Sequence, residues 1–400
     1  MPHDSKTLTA QPVTRDEAVS LLSEMVRIPS INPNFLREGQ PEAWHSEAAL
    51  AQYILEWCTD LGLPARLDEV LPGRPNVVVE LITDPDAPSI LWEGHTDTVQ
   101  VEGMAAPFEP RLEGDLLYGR GSVDDKGCLA MFMLAMAALK RAGTPCNVTF
   151  VAAVDEESTF LGVLHHVATH PPAEMGVAGE PTELAMVTAC KGVIRFVVEV
   201  TGRGAHASQP HEGLDALAAS AQLVLHLREY IKGTPRTHST LGPRSLTCTM
   251  MEAGEGQNTV PARARLTFDM RTLPDQSGED AWNEISGVVA AFAADALPEF
   301  GVTMHPPFID SISQQVPDDA RIVAEMGAVL AARGLPAAPI AVPYGSDASK
   351  MTKANTPTIV FGPGTIDVAH SDNEHVDVTE VVRAAEILVE LVQHAGGRRS

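Results

Sequence analysis

Val148-Thr149-Phe150-Val151-Ala152-Ala153-Val154-Asp155-Glu156-Glu157 is an apolar run that breaks onto three carboxylates. Its first seven residues have the signature of a strand buried on both faces. Three further runs of this kind lie at 76–81, 90–92 and 358–361, and helix-like stretches fall between them, notably Lys126–Ala142. Strands alternating with helices imply an α/β sheet covered on both faces. Near the start, Thr14 with Glu17 forms a capping-box pattern. Ala18, Leu21, Leu22, Met25 and Val26 then recur at helical spacing until Pro29.

The middle of the chain has a different rhythm. It predicts a strand at 194–200, a helix at 215–231, strands at 245–251 and 264–271, a helix at 279–297 and a strand at 301–305. This β-α-β-β-α-β order is that of a ferredoxin-like sandwich. Sheet-type sequence resumes after about Pro306. The expectation is therefore a discontinuous domain, 1–189 with 306–400, carrying an inserted continuous α+β unit at 190–305. No fixed-period repeat or low-complexity tract is evident, and residues 396–400 are expected to fray.

The chain has 400 residues, with 28 Lys plus Arg against 53 Asp plus Glu and a formal net charge of -25. That surplus repels phosphate backbones and anionic membranes, so neither nucleic acid nor a membrane is an expected partner. Five scattered cysteines without a CxxC pair argue against a disulfide framework or a thiolate metal site, and favour a reducing cytoplasm. Residues 1–11 are polar and no run of about 18 apolar residues occurs, so neither export nor membrane insertion is expected.

Metal-capable residues fall just beyond the predicted strands. His95 and Asp97 follow 90–92, Glu156 and Glu157 follow 148–154, Glu180 follows 175–179, and His370 follows 358–361. In open α/β sheets the carboxyl ends of strands line the ligand crevice, so these positions can converge. The loop Gly119-Arg120-Gly121-Ser122-Val123-Asp124-Asp125-Lys126-Gly127 adds two carboxylates before a helix, a pattern that also suits an ordinary N-cap. Imidazole and carboxylate donors without thiolates suit Zn²⁺, Co²⁺ or Mn²⁺. One member of the Glu156–Glu157 pair must stay unbound if it is to accept a proton.

His95-Thr96-Asp97, Gly119-Arg120-Gly121 with Asp124-Asp125-Lys126-Gly127, Asp155-Glu156-Glu157, Gly179-Glu180-Pro181-Thr182, Gly204-Ala205-His206, and His370 through Glu374-His375 occur in the order of one family. From Leu21 to about Val389 the chain resembles the acetylornithine deacetylase, succinyl-diaminopimelate desuccinylase and glutamate carboxypeptidase family of co-catalytic zinc enzymes. The resemblance implies a zinc-exopeptidase-like catalytic domain whose mixed sheet lies between helices, with the insert as a lid and dimerisation domain. It implies that Asp124 bridges two divalent ions per subunit, Zn²⁺ first. His95 and Glu180 would complete one site, and Glu157 and His370 the other. Asp97 would orient His95, and Glu156 would be the general base toward a metal-bridged hydroxide. The Asp124–Asp125 peptide bond would be cis.

In the insert, His206 reads either as a structural loop histidine or, by the same resemblance, as an oxyanion donor reaching a partner subunit's active site in a homodimer. Arg271 and Asn258 are candidates for a substrate carboxylate, with an Arg271–Asp269 strand-edge pair as the alternative. Ser346, within Tyr344-Gly345-Ser346-Asp347, is a further pocket candidate, and hinges are expected near Lys191 and Pro306. His165, His166 and His170 read as surface residues, and Met131, Met133 and Met136 as core.

The function this implies is deacylation of an N-acyl amino acid. A metallo-dipeptidase or carboxypeptidase of the same family is the alternative, and a non-catalytic ligand-binding homologue is the alternative of another class. A paired-metal phosphatase or nuclease is disfavoured because basic groups are missing near the motifs.

Overall fold

The computed structural model describes residues 12–101 and 103–397. The polar segment 1–11 and the end of the 396–400 tail lie outside the described residues. Two compact units divide the chain, one of 1–188, 316–340 and 346–400, the other of 189–315 with 341–345.

In the first unit the strands run in the order Ala65–Leu71, Arg74–Ile82, Asn147–Ala153, Ser89–His95, Met175–Ala178, Thr358–Val360 and Val187–Cys190. The central four, from Asn147–Ala153 to Thr358–Val360, are mutually parallel, and the flanking pairs are antiparallel. The sheet is therefore mixed. On one face Val77, Val79, Trp92 and Phe150 pack with helices Arg15–Arg27, Ala48–Asp60, Lys126–Ala142 and Val378–Gly397. Val78, Leu91 and Val151 point the opposite way and are buried too, on the face where Leu161–Thr169 and Ala348–Lys353 lie. Burial on both faces explains why these strands read as continuous apolar runs.

Helix Lys126–Ala142 is buried from its first residue to Leu139, including Met131, Met133 and Met136. Gly179 makes room for it, since a Cβ there would lie 2.7 Å from the Cys128 Cβ. The capping box at Thr14 and Glu17 is formed in both directions. Among the described residues no helix is long and apolar enough to cross a membrane.

The second unit is a ferredoxin-like sandwich. Its sheet runs Ser245–Ala253, Arg263–Thr272, Gly192–Thr201, Gly301–Ser311, all antiparallel. Ile194, Phe196, Val198, Leu266, Phe268 and Met270 alternate onto the face covered by helices Ala216–Gly233 and Gly278–Ala296. Two boundaries differ from the sequence reading. The last strand continues past Pro306 to Ser311, because its pairing resumes after a shift between His305 and Ile309. Pro306 and Pro307 interrupt the apolar pattern there without ending the strand, as prolines can at an edge bulge. The unit is also not continuous. Residues 341–345 belong to it, and the Lys191 N–H donates to the Val342 carbonyl at 3.3 Å.

Candidate metal centre

His95 is the last residue of Ser89–His95, while Glu156 and Glu157 follow Asn147–Ala153 and Glu180 follows Met175–Ala178. Those strands are parallel neighbours, so their carboxyl ends open on one edge of the sheet. Asp124 enters from the loop before Lys126–Ala142, and His370 from the turn beyond Thr358–Val360. The Asp124–Asp125 peptide bond is cis.

Asp124 divides its carboxylate between two imidazoles. His95 Nε2 lies 3.0 Å from Asp124 Oδ1, and His370 Nε2 lies 3.0 Å from Asp124 Oδ2. His370 Nε2 is also 3.0 Å from Glu157 Oε1. Donor atoms of His95, Asp124 and Glu180 lie within 4.8 Å of one another, and so do those of Asp124, Glu157 and His370. Two triads thus share one carboxylate. Behind the first, the Asp97 backbone carbonyl lies 3.0 Å from His95 Nδ1 and its carboxylate 3.5 Å away, which fixes the ring with Nε2 forward.

Burial opposes charge on His95, but Asp124 and Asp97 outweigh it and hold the imidazole well above its ordinary pKa. Asp124 and Glu157 raise His370 to about 10. Burial alone would raise Asp124, yet the two imidazoles hold it below the usual carboxylate range. Burial pushes Glu180 and Glu156 well above the ordinary glutamate range. Asp124 reinforces this at Glu180; at Glu156 the nearby His95 opposes it, while Asp347 and Glu157 reinforce it. The Lys350 ammonium draws Glu156 down, but by less than burial lifts it. Buried carboxylates that repel one another beside two imidazoles make a donor set suited to divalent cations.

A model of peptidase family M20/M25/M40 matches residues 91–394. The chain belongs to that family. An acetylornithine deacetylase of Proteus mirabilis is 25% identical over 385 residues, which cover 94% of this chain and 96% of that one. Among solved structures, a tripeptidase from Staphylococcus aureus superposes with a TM-score of 0.80 at 20% identity, covering 96% of this chain and all of that one. Human carnosine dipeptidase 1 gives 0.72 at 16% identity, over 96% and 97% of the two chains. The two structural likenesses establish the fold. Membership of M20/M25/M40 makes the protein a hydrolytic enzyme that uses divalent metals.

Around the M20 centre stand further polar residues, several of them inside the quoted motifs, to which the sequence reading assigned no role. Glu374, 1% exposed, is ion-paired with Arg120 and accepts the backbone N–H groups of Val123 at 3.1 Å and Asp124 at 3.2 Å, so it holds the Asp124 loop. Asp125 Oδ2 accepts the His95 N–H at 2.9 Å, and burial lifts its carboxyl to about 8. Glu93 and Asp347, each 2% exposed, are both lifted above the ordinary carboxyl range, chiefly by burial, and the Asp347 charge raises Glu93 further.

Four sequence candidates fall elsewhere. Ser346 is in the first unit but fully buried, its hydroxyl without a hydrogen-bond partner among the described residues. His206, Asn258 and Arg271 lie in the second unit. His206 is exposed, with Nδ1 2.7 Å from Ser208 Oγ. Exposed Asn258 is beside it, its carbonyl accepting the Ala207 N–H at 2.8 Å. Arg271 Nε donates to Asp269 Oδ1 at 2.8 Å, the strand-edge pair, while Arg195 holds the other Asp269 oxygen. The three-histidine segment is corrected. His166 is 5% exposed, because helix Leu161–Thr169 turns Gly162, Val163 and His166 inward, and burial lowers it to about 4.

Proposed function

We propose that this protein removes the acyl group from an N-acyl amino acid by hydrolysis of the amide bond, with Glu156 as general base. The observation that carries the reading is the division of Asp124 between His95 and His370 at 3.0 Å each, with Glu156 beside the centre. Zn²⁺ is the proposed metal, with Co²⁺ or Mn²⁺ as substitutes. One ion would be held by His95, Asp124 and Glu180, the other by Asp124, Glu157 and His370. Bound there, such ions supply the Lewis acidity that polarises a carbonyl and lowers the pKa of water to about 7. Glu156 takes a proton from the attacking water and returns it to the amide nitrogen as the C–N bond breaks, leaving a carboxylate and a free amine.

The deacylase reading is supported by the names of the curated relatives. A dipeptidase or carboxypeptidase is the second reading, favoured by the names of the solved structures. In either case the second unit is proposed as a lid and homodimerisation domain that presents His206 to the developing oxyanion in the partner subunit. Asn258 is the better placed candidate for a substrate carboxylate, since Asp269 already engages Arg271. Ser346 would shape the pocket wall rather than touch substrate. A cytoplasmic location is supported by five unpaired cysteines.

The test is Glu156→Gln, assayed on N-acetyl amino acids beside free dipeptides. Turnover is expected to fall about 10²–10⁴-fold with metal content unchanged. Near-normal turnover in the variant would refute the base assignment, and activity on dipeptides alone would select the second reading.

A further inference from the structure

Behind His95 and Glu157 lies a closed ring of hydrogen bonds. The Asp97 carboxylate accepts the Glu156 N–H on Oδ1 and the Glu157 N–H on Oδ2, both at 3.0 Å. The Asn32 amide nitrogen donates to Asp97 Oδ2 at 2.7 Å and to Asp155 Oδ1 at 3.0 Å. Asp155 directly precedes Glu156, so the ring closes through the chain. This turn is conformationally unfavourable. Asp155 has φ 71°, a left-handed conformation rare outside glycine that persists only where the surroundings impose it.

Here the surroundings are specific. The Asp155 carboxylate accepts the Thr159 hydroxyl and an Arg74 guanidinium N–H at 2.8 Å. Arg74 opens strand Arg74–Ile82 and is gripped from its other side by Glu47, with Nε to Oε2 at 2.9 Å. Asn32, Glu47, Asp97 and Asp155 are all fully buried, and the Arg74 side chain is 12% exposed. A buried network of three carboxylates and one guanidinium is a poor device for stability, because well-packed apolar side chains of similar volume commonly serve as well or better. Its geometry has another use. The ring links the residue that orients His95 to the turn that carries Glu157 and Glu156, and so ties one ligand triad to the other.

We propose that Arg74 and Asn32 are positioning residues of the metal centre. Arg74 locks Asp155 into its left-handed turn, and Asn32 fastens that turn to Asp97. His95 and Glu157 are thereby presented to two ions in a fixed relation. The inference rests on the two-metal reading of the site.

The experiment uses the full chain loaded with Zn²⁺, in wild type, Asn32→Ala, Arg74→Lys and the double variant Arg74→Met with Glu47→Gln, which removes the guanidinium together with its Glu47 partner and leaves Asp155 without its cation. Competition with a zinc chelator reads the affinity of each ion, and thermal unfolding of the metal-free proteins reads structural damage. The weaker ion is expected to dissociate about 10- to 100-fold more readily in Asn32→Ala and in the double variant, with Arg74→Lys between them and wild type. Among variants that remain folded, kcat falls while KM stays within about twofold. If Arg74 variants do not fold, Asn32→Ala decides alone. A folded Asn32→Ala that binds both ions within about twofold of wild type overturns the proposal, as does a lowered metal-free melting temperature with unchanged metal affinity. Wild-type protein binding fewer than two ions overturns the two-metal reading and this inference together.

Discussion

His95, Asp97 and Asp124 in the first unit are at most 6% exposed, and each is held by partners distant in sequence. His206 and Asn258 in the second unit are exposed, and among the described residues the His206 ring hydrogen-bonds Ser208, two residues on. The difference separates two ways of making a functional group. A buried group is organised in advance, at the expense of desolvation that its fixed partners offset and a bound cation would relieve further. An exposed group keeps its hydration and its freedom until something binds it.

Asp124→Ala tests the buried side of this contrast and should have the largest effect. Both triads lose their shared member, so bound metal should fall from about two equivalents to below one by elemental analysis, and hydrolysis should fall to background. Two retained ions would show that the triads are independent, and would break the comparison. His206→Ala should cost about 10²–10³ in kcat if it donates to the oxyanion. Metal content and melting temperature should not change, since an exposed substitution usually shifts stability by less than about 0.5 kcal/mol. A drop in melting temperature would mean that the His206 loop is organised in advance after all.

The smallest effect is a titration within the second unit. There Arg244, with Tyr230 and Gln276, holds the Glu284 carboxyl at about 2. A carboxyl depressed on folding adds stability above its unfolded pKa of about 4.5 and loses it as pH falls toward 2. Unfolding curves followed between pH 5 and pH 2 should therefore weaken with acid, and Glu284→Gln should flatten that limb. An unchanged acid limb would remove Glu284 from the account.

The candidate ligands His95, Glu157 and Glu180 were legible because each stands at or just past the end of an apolar strand, and Asp124 because it sits in a glycine-flanked loop before a helix. Arg74 and Glu93 were not: Glu93 lies inside a strand whose apolar neighbours mask it, and Arg74 opens a strand with partners, Glu47 and Asp155, remote in the chain. Nothing in the local pattern at Glu93 points to Asp347, and Arg120 meets Glu374 across 254 positions. His166 was misread because a helix-and-turn segment without an ordered carboxylate partner pointed to the surface for all three histidines. The inward face of Leu161–Thr169 instead follows Gly162, Val163 and His166, spaced as a helix requires. The second unit's order of elements was plain from its alternation, but its edge was not, since prolines that end most strands here mark a bulge.

His370 reaches Glu157 across 213 positions. A nascent chain therefore possesses His95, Asp124 and Glu180 long before the second triad can exist. Ribosome-bound fragments ending short of residue 370 could assemble only half of the centre. If hydrolysis needs both triads, only chains that extend past residue 370 can carry it out.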